Sequence, residues 1–258
     1  MKKMNPDERR NEILDLLNEN QNMTITELSE KLETQEATIR RDLILLEQKS
    51  LIIRTHGGAV LKEPYSPWMA TSLFERSRQH SKEKKCIAEY VAEIIQNDEI
   101  LMIDGGSTNL FVAEELQKKE NLVVVTNNSN IGETLMGGNG FKIYLTGGEL
   151  VQGPSTMVGN IAEETISHFR ADRAILGLNG IVPGDGYFCA LPQEAVIKRL
   201  MSKYSRETIL VADSSKMNVR SFYLVNDFSR VSEIITDKNI DRDTLDELEA
   251  NNIKVISV

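Results

Sequence analysis

The sequence predicts two domains of different class: a small helical domain closed by a β-hairpin, then a larger α/β domain built on a largely parallel sheet. Three observations predict this. The first 61 residues carry three short helical patterns followed by a strand, a turn and a returning strand. The stretch from Lys62 to about Ser81 contains Pro64, Ser66 and Pro67 and few regularly spaced apolar residues. From residue 82 onward, short β-branched runs alternate with amphipathic stretches. The expected domains are therefore 1–61 and 82–258, with 62–81 as a linker.

In the first domain, Pro6 suits a first turn, Asp7 and Glu8 favour a positive helix end, and Ile13, Leu14, Leu16 and Leu17 form an apolar stripe that Asn18 and Asn20 close. Thr24 with Glu27 three residues on is a capping-box pattern, and Ile25, Leu28 and Leu32 follow at helical spacing. After Thr34, Gln35 and Glu36 a third helix repeats Ile39, Leu43 and Leu46 on one side, with Arg40 and Arg41 off that stripe. Leu51–Ile53 reads as a strand, Arg54–Gly58 as a turn and Ala59–Leu61 as the returning strand. Three helices and a hairpin make a winged helix-turn-helix. In such a domain the third helix fits the DNA major groove while neighbouring cations meet phosphates. Thr34, Gln35, Thr38, Arg40 and Arg41 are the candidate contacts there, and Arg54 and His56 on the wing are placed to reach the backbone or minor groove.

A formal net charge of −9 argues against nonspecific nucleic-acid binding by the whole chain, so any DNA contact must be local. Hydrophobic residues at 40% and charged residues at 27% are the balance of a globular protein, and no apolar run is long enough to span a bilayer. The basic start is followed by Asp7, Glu8, Arg9 and Arg10, which is not a secretory signal. Cys86 and Cys189 lie far apart without metal-ligand spacing. The expectation is a cytoplasmic protein with no metal, no cofactor and no membrane partner, its thiols serving as packing residues.

The second domain, expected as a Rossmann-like α/β fold, has strands near 100–104, 122–126, 141–146, 173–177, 207–212, 231–235 and 253–257, with helices near 82–97, 108–118, 128–136, 160–168, 192–204 and 242–250. Its chemistry is expected at strand ends, where open α/β sheets bind ligands. Ile100–Asp104 runs into Gly105, Gly106, Ser107 and Thr108 and then a helix. Glycines let the backbone approach an anion, hydroxyls donate to it, and the helix points its positive end at it, so this loop reads as a phosphate cradle. Asn127, Gly147, Gly148 and Asn179 follow other strands in the same way, and Lys216 lies in Asp213-Ser-Ser-Lys216. Asp104, Asn127, Asn179 and Glu194 are candidates for hydroxyl contacts, Lys216 for the anion, and Lys198 completes the candidate set.

Ala37-Thr-Ile-Arg-Arg-Asp-Leu43 together with Leu51-Ile-Ile-Arg-Thr-His-Gly-Gly-Ala59 resembles the DNA-binding domain of the DeoR family of bacterial repressors. The family commonly has Ser where this chain has Gln35, which leaves Thr34 as the expected cap of the third helix. Asp104-Gly-Gly-Ser-Thr108 resembles the family's D-x-G-T-T loop, and Asp213-Ser-Ser-Lys216 its D-S-S-K motif, so the resemblance covers nearly the whole chain. It implies a repressor of a carbohydrate-utilisation operon, with operator DNA and a phosphorylated sugar as partners. A homo-oligomer is expected from the habit of helix-turn-helix proteins to pair across half-sites.

The family's second domain resembles sugar-phosphate isomerases, so an enzyme reading stands as an alternative. Their acid-rich D-G-A-D-E loop corresponds to Leu176-Gly-Leu-Asn-Gly180, which has none of its acids. Glu194 matches the isomerase base, while the lysine that precedes it falls near Asp185. A carboxylate without electrophilic partners suits hydroxyl binding better than turnover, so no catalytic residue is expected. An activator responding to another small anion is the other alternative.

Overall fold

The computed structural model describes residues 9–10, 12–14, 16–17, 22–48, 52–55, 57–61, 73–151 and 153–258. The chain divides into two compact units, Met1–Pro67 and Trp68–Val258. The expected roles of Pro6, Asp7, Glu8, Asn18, Asn20, Leu51 and His56 fall outside the described residues.

In the first unit α1 is helical at 9–10, 12–14 and 16–17. It is followed by β1 (Asn22–Thr24), α2 (Ile25–Lys31), α3 (Glu36–Gln48), β2 (Ile52–Arg54) and β3 (Gly58–Leu61). The apolar stripes converge: Ile13 and Leu17 from α1, Leu28 from α2, and Ile39, Leu43 and Leu46 from α3 are buried in one core. The capping box forms, with the Thr24 hydroxyl accepting from the Glu27 N–H at 3.2 Å and the Glu27 carboxylate accepting from the Thr24 N–H at 2.7 Å.

Three local findings were not expected. β1 pairs antiparallel with β3, Met23 opposite Ala59, so the wing is a three-stranded sheet in the order β1-β3-β2. Asp42, inside the third-helix motif, is buried and bonds to Arg9 at 2.7 Å, which ties α1 to α3. Thr34 does not cap α3: its hydroxyl donates to the Leu32 carbonyl at 2.9 Å. The Gln35 carbonyl instead accepts from Thr38 and Ile39 at 2.8 and 3.2 Å, so Gln35 opens the helix through its backbone.

The second unit begins earlier than the proline-bearing stretch suggested. Residues 73–78, expected as linker, form α4 (Leu73–Arg78), whose Leu73 is buried. Then come α5 (Ser81–Ile94), β4 (Ile100–Ile103), α6 (Ser107–Leu116), β5 (Val123–Thr126), α7 (Ser129–Leu135), β6 (Lys142–Leu145), β7 (Glu149–Val151), β8 (Thr156–Val158) and α8 (Asn160–Ser167). The chain continues through β9 (Ala171–Gly177), β10 (Gly180–Val182), β11 (Gly186–Cys189), α9 (Pro192–Lys203), β12 (Ser205–Val211), β13 (Tyr223–Asn226), β14 (Glu233–Thr236), α10 (Arg242–Ala250) and β15 (Val255–Ser257).

Seven strands make one parallel sheet in the order β15-β14-β12-β9-β4-β5-β6. Side chains alternate between its faces, and both are covered. Leu101, Ile103, Val124, Ile175, Ile209 and Val211 pack with α5 and α6 residues such as Ile87, Val91 and Val112. Met102, Val125, Ala174, Leu176 and Leu210 pack with α8 and α9 residues such as Ile166, Ile197 and Met201. The order places a topological switch between β4 and β9: the chain runs outward one way through β5 and β6, then returns beside β4 and runs outward the other way. Open sheets of this kind part their loops at the strand C-termini there, leaving a crevice. Small antiparallel pairings, β7 with β8 and β10-β11-β13, add short strands that the residue pattern did not reveal. Cys189 is buried and burial pushes its thiol up to about 12, whereas Cys86 is exposed rather than packed. Among the described residues no helix is long and apolar enough to cross a membrane.

Candidate functional site

At the switch point a pocket is lined by the loop after β4 (Gly105, Gly106, Ser107, Thr108) and the loop after β9 (Gly177, Leu178, Asn179). The turn after β12 adds Asp213 and Lys216, and helices add Glu194 and Lys198 from α9, Lys84 from α5 and Arg76 from α4. Residues spread over more than 140 positions of sequence thus meet at the C-terminal edge of three neighbouring strands.

The β4 loop owes its shape to specific neighbours. No side chain caps α6, so its first-turn amides remain open to the pocket. A Cβ at Gly105 would lie 2.6 Å from the Thr156 hydroxyl and 2.9 Å from the Asn128 amide nitrogen, which explains the glycine. A Cβ at Gly106 would meet nothing nearer than 3.8 Å. Asn127, expected at a ligand hydroxyl, does not line the pocket. Its amide oxygen accepts from the Gly105 N–H at 3.2 Å and its amide nitrogen donates to the Met157 carbonyl at 3.1 Å, so it holds the loop from behind. Gly147 and Gly148 also lie away from the pocket; both have positive φ, and Gly148 packs against the Val158 carbonyl.

Asp104, another expected hydroxyl contact, lies under the pocket with its acceptors committed. One carboxylate oxygen accepts from the Asn109 side chain at 2.6 Å and the Gly177 N–H at 2.7 Å, and the other from the Lys198 ammonium. Lys198 also donates to the Gly177 carbonyl at 2.9 Å. This buried pair clamps β4 to β9 across the switch. Burial, and after it the Arg76 guanidinium, lower the Lys198 pKa to about 7. Asn179 lines the pocket and accepts from the Ala190 N–H at 3.2 Å, which orients its amide. Glu194 stands on the first turn of α9 behind Pro192, and its burial raises its pKa against the pull of Arg76.

Two lining cations escaped the sequence reading. Lys84 is buried, donates to the carbonyls of Arg76 and Gln79 and lies 3.8 Å from Asp213. Burial lowers its pKa to about 8. Arg76 projects from α4 with its Nε buried and without a hydrogen-bond partner among the described residues. Neither stands at a strand end or in a glycine-rich turn, so no local pattern marked them. The Lys216 N–H donates to the Asp213 carbonyl at 3.0 Å, while its ammonium has no hydrogen-bond or ion-pair partner among the described residues, and Asp213 Oδ2 is likewise buried without a hydrogen-bond donor. The pocket therefore offers open cations and helix amides to an anion, and carboxylates to hydroxyls.

On the first unit, Thr38, Arg40 and Arg41 occupy the side of α3 away from the Ile39–Leu43 stripe, with both arginines exposed. Arg40 pairs with Glu36 at 3.3 Å and Arg54 with Glu47 at 3.6 Å, whereas Arg41 has no ion pair among the described residues. Gln35 is exposed at the helix start, and Thr34 is half-buried against the preceding turn.

Residues 9–64 match the DeoR-like helix-turn-helix domain, and residues 79–238 the DeoR C terminal sensor domain. The chain is 37% identical over 237 residues to the glycerol-3-phosphate regulon repressor of Escherichia coli strain K12, covering 91% of this chain and 92% of that protein. It is 30% identical to the transcriptional repressor GlcR of Bacillus subtilis, covering 98% of this chain and 96% of the relative. Ribose 5-phosphate isomerase from Plasmodium falciparum is similar at 18% identity over 52% of each chain, with a TM-score of 0.38. The chain belongs to the DeoR family of transcriptional repressors, with a DNA-binding helix-turn-helix followed by a sensor domain.

Proposed function

We propose that this chain acts in the cytoplasm as a homo-oligomeric repressor that leaves its operator when the switch-point pocket binds a phosphorylated sugar or polyol. The observation that carries the effector reading is the pocket itself. An uncapped α6 N-terminus beneath Gly105, Gly106, Ser107 and Thr108 opens beside Lys216, while Glu194 and Asn179 face the same space. One end suits a phosphate and the other suits hydroxyls. One relative is named a glycerol-3-phosphate regulon repressor, which is compatible with a phosphorylated effector here. Thr38, Arg40, Arg41 and Arg54 are the proposed DNA contacts. The loop Leu176–Gly180 lacks the acids an isomerase would use beside Glu194, so the pocket binds without turnover.

The test is a thermal-shift screen of the full chain with glycerol 3-phosphate, glucose 6-phosphate, fructose 1-phosphate and fructose 6-phosphate, each against its unphosphorylated form, followed by operator release. At about 100 times its Kd, a ligand of the folded state adds roughly 2.7 kcal/mol, a readily measured shift. At least one phosphorylated compound should raise Tm and release operator DNA. Equal action of the unphosphorylated partner, or no shift from any phosphate, overturns the reading.

A further inference from the structure

The pocket's cations are not equivalent. Lys198 spends its ammonium on Asp104 and the Gly177 carbonyl. Lys84 spends its own on the carbonyls of Arg76 in α4 and of Gln79 just after it, beside Asp213. Lys216 sits on a short 3-10 turn, Ser214–Lys216, and is half-buried. Arg76 differs from all three: its backbone carbonyl is held by Lys84 at 2.6 Å, but its buried Nε has no acceptor among the described residues. A guanidinium N–H taken out of water without a hydrogen bond is costly to the empty protein. Its planar fork matches an oxyanion in a way an ammonium does not. Glu194 attracts Arg76, yet no ion pair joins the two within 4.0 Å.

We propose that Arg76 is a direct ligand of the effector's anionic group, sharing it with the open amides of α6, and that anion binding thereby fixes helix α4. This rests on the reading of the pocket as an effector site and adds the residue that couples it to the chain's other half. Helix α4 is anchored at its start by the Leu73 N–H on the Gly153 carbonyl at 3.1 Å and at its end by Lys84. It is also the first described element after the segment 62–72 that leads from the DNA-reading unit. An anion held at once by α6, which packs on the parallel sheet, and by Arg76 favours one placement of α4. Its differential affinity for that placement is what can shift the DNA-binding equilibrium.

The test is isothermal titration of the full chain, wild type, Arg76→Gln and Arg76→Lys, with two probes, inorganic phosphate and glycerol 3-phosphate. Arg76→Gln should bind phosphate about tenfold or more weakly, the scale of a lost charged hydrogen bond, and Arg76→Lys should recover part of that. The Tm of the empty Arg76→Gln protein should not fall, because the substitution removes a cation whose buried Nε–H is unbonded. Amide exchange over 73–80 should slow with phosphate in wild type and not in Arg76→Gln. Phosphate binding that is equal in wild type and Arg76→Gln overturns the proposal, as does a lowered Tm with unchanged affinity. If phosphate obeys these expectations but no sugar or polyol phosphate binds, the effector reading fails while Arg76 stands as an anion ligand. If wild type binds neither probe, both fail.

Discussion

Asp104 shows how a single side chain can look like a ligand contact and serve as a clamp. It ends β4 at the mouth of the crevice, yet Asn109, the Gly177 N–H and Lys198 occupy its oxygens. Removing Asp104 takes the anionic acceptor from the buried Lys198 amine, so Asp104→Asn should destabilise the second unit by about 1–3 kcal/mol, read from urea unfolding of the full chain. Lys198→Met added to that variant should return part of the loss; a double variant no better than Asp104→Asn would contradict the ion-pair account. The division between what residues reveal and what they conceal follows from distance along the chain. That Gly105, Gly106, Ser107 and Thr108 line the pocket was legible because the signal is local: glycines, hydroxyls and a helix start in succession. Asp104 was misplaced because its partner lies 94 positions away. Arg76 was missed because nothing near it in sequence distinguishes a pocket arginine from a solvated one.

Elements were legible where they belong to the repeating alternation of strand and helix. The seven sheet strands and the long helices carry enough β-branched or helical periodicity to be placed within a few residues, whereas β1, β7, β8, β10, β11 and β13, three or four residues long, pair outside that alternation. β1 matters despite its length. A Cβ at Gly58 would fall 2.1 Å from the Met23 carbonyl oxygen, so Gly58→Ala must push β1 away from β3. The expected outcome is loss of operator binding with effector binding intact in the second unit; an unchanged operator affinity would mean the three-stranded wing is dispensable. Helix α4 was hidden by the prolines that precede it and is held through Lys84, whose pKa burial lowers to about 8 from an ordinary 10.5. Between those values the unfolded chain binds more protons than the folded one, so stability from this group rises with pH across the window, and below it the buried charge weighs fully against the fold. The Tm difference between wild type and Lys84→Met should therefore move in favour of wild type from about pH 8 to about pH 10. A difference that stays flat with pH would show that Lys84 titrates as an exposed lysine.

At the scale of the whole molecule, the two units differ in what each can do alone, and the place where the second begins decides whether it is complete. Its sheet is covered on both faces by its own helices, and among the described residues its two cores are built from its own side chains. A fragment of residues 68–258 should consequently fold, stay in solution and bind the phosphorylated compound found by the thermal-shift screen, without binding operator DNA. A fragment of residues 82–258, the boundary that the proline-bearing stretch suggests, lacks Leu73, which is buried, and Arg76 and Gln79, which line the pocket. It also leaves the buried Lys84 ammonium without both of its carbonyl acceptors, next to Asp213 alone. An unsatisfied buried donor of this kind costs about 1–3 kcal/mol, and the lost burial of Leu73 adds about 1.5–3 kcal/mol. Side-by-side denaturation and titration of the two fragments with glycerol 3-phosphate and inorganic phosphate separate the possibilities. The longer fragment should match the full chain in affinity, and the shorter one should melt earlier and bind phosphate about tenfold or more weakly, as expected when a charged hydrogen bond is lost. Equal stability and affinity in both fragments would remove α4 from the sensor domain and return residues 62–81 to the role of a linker.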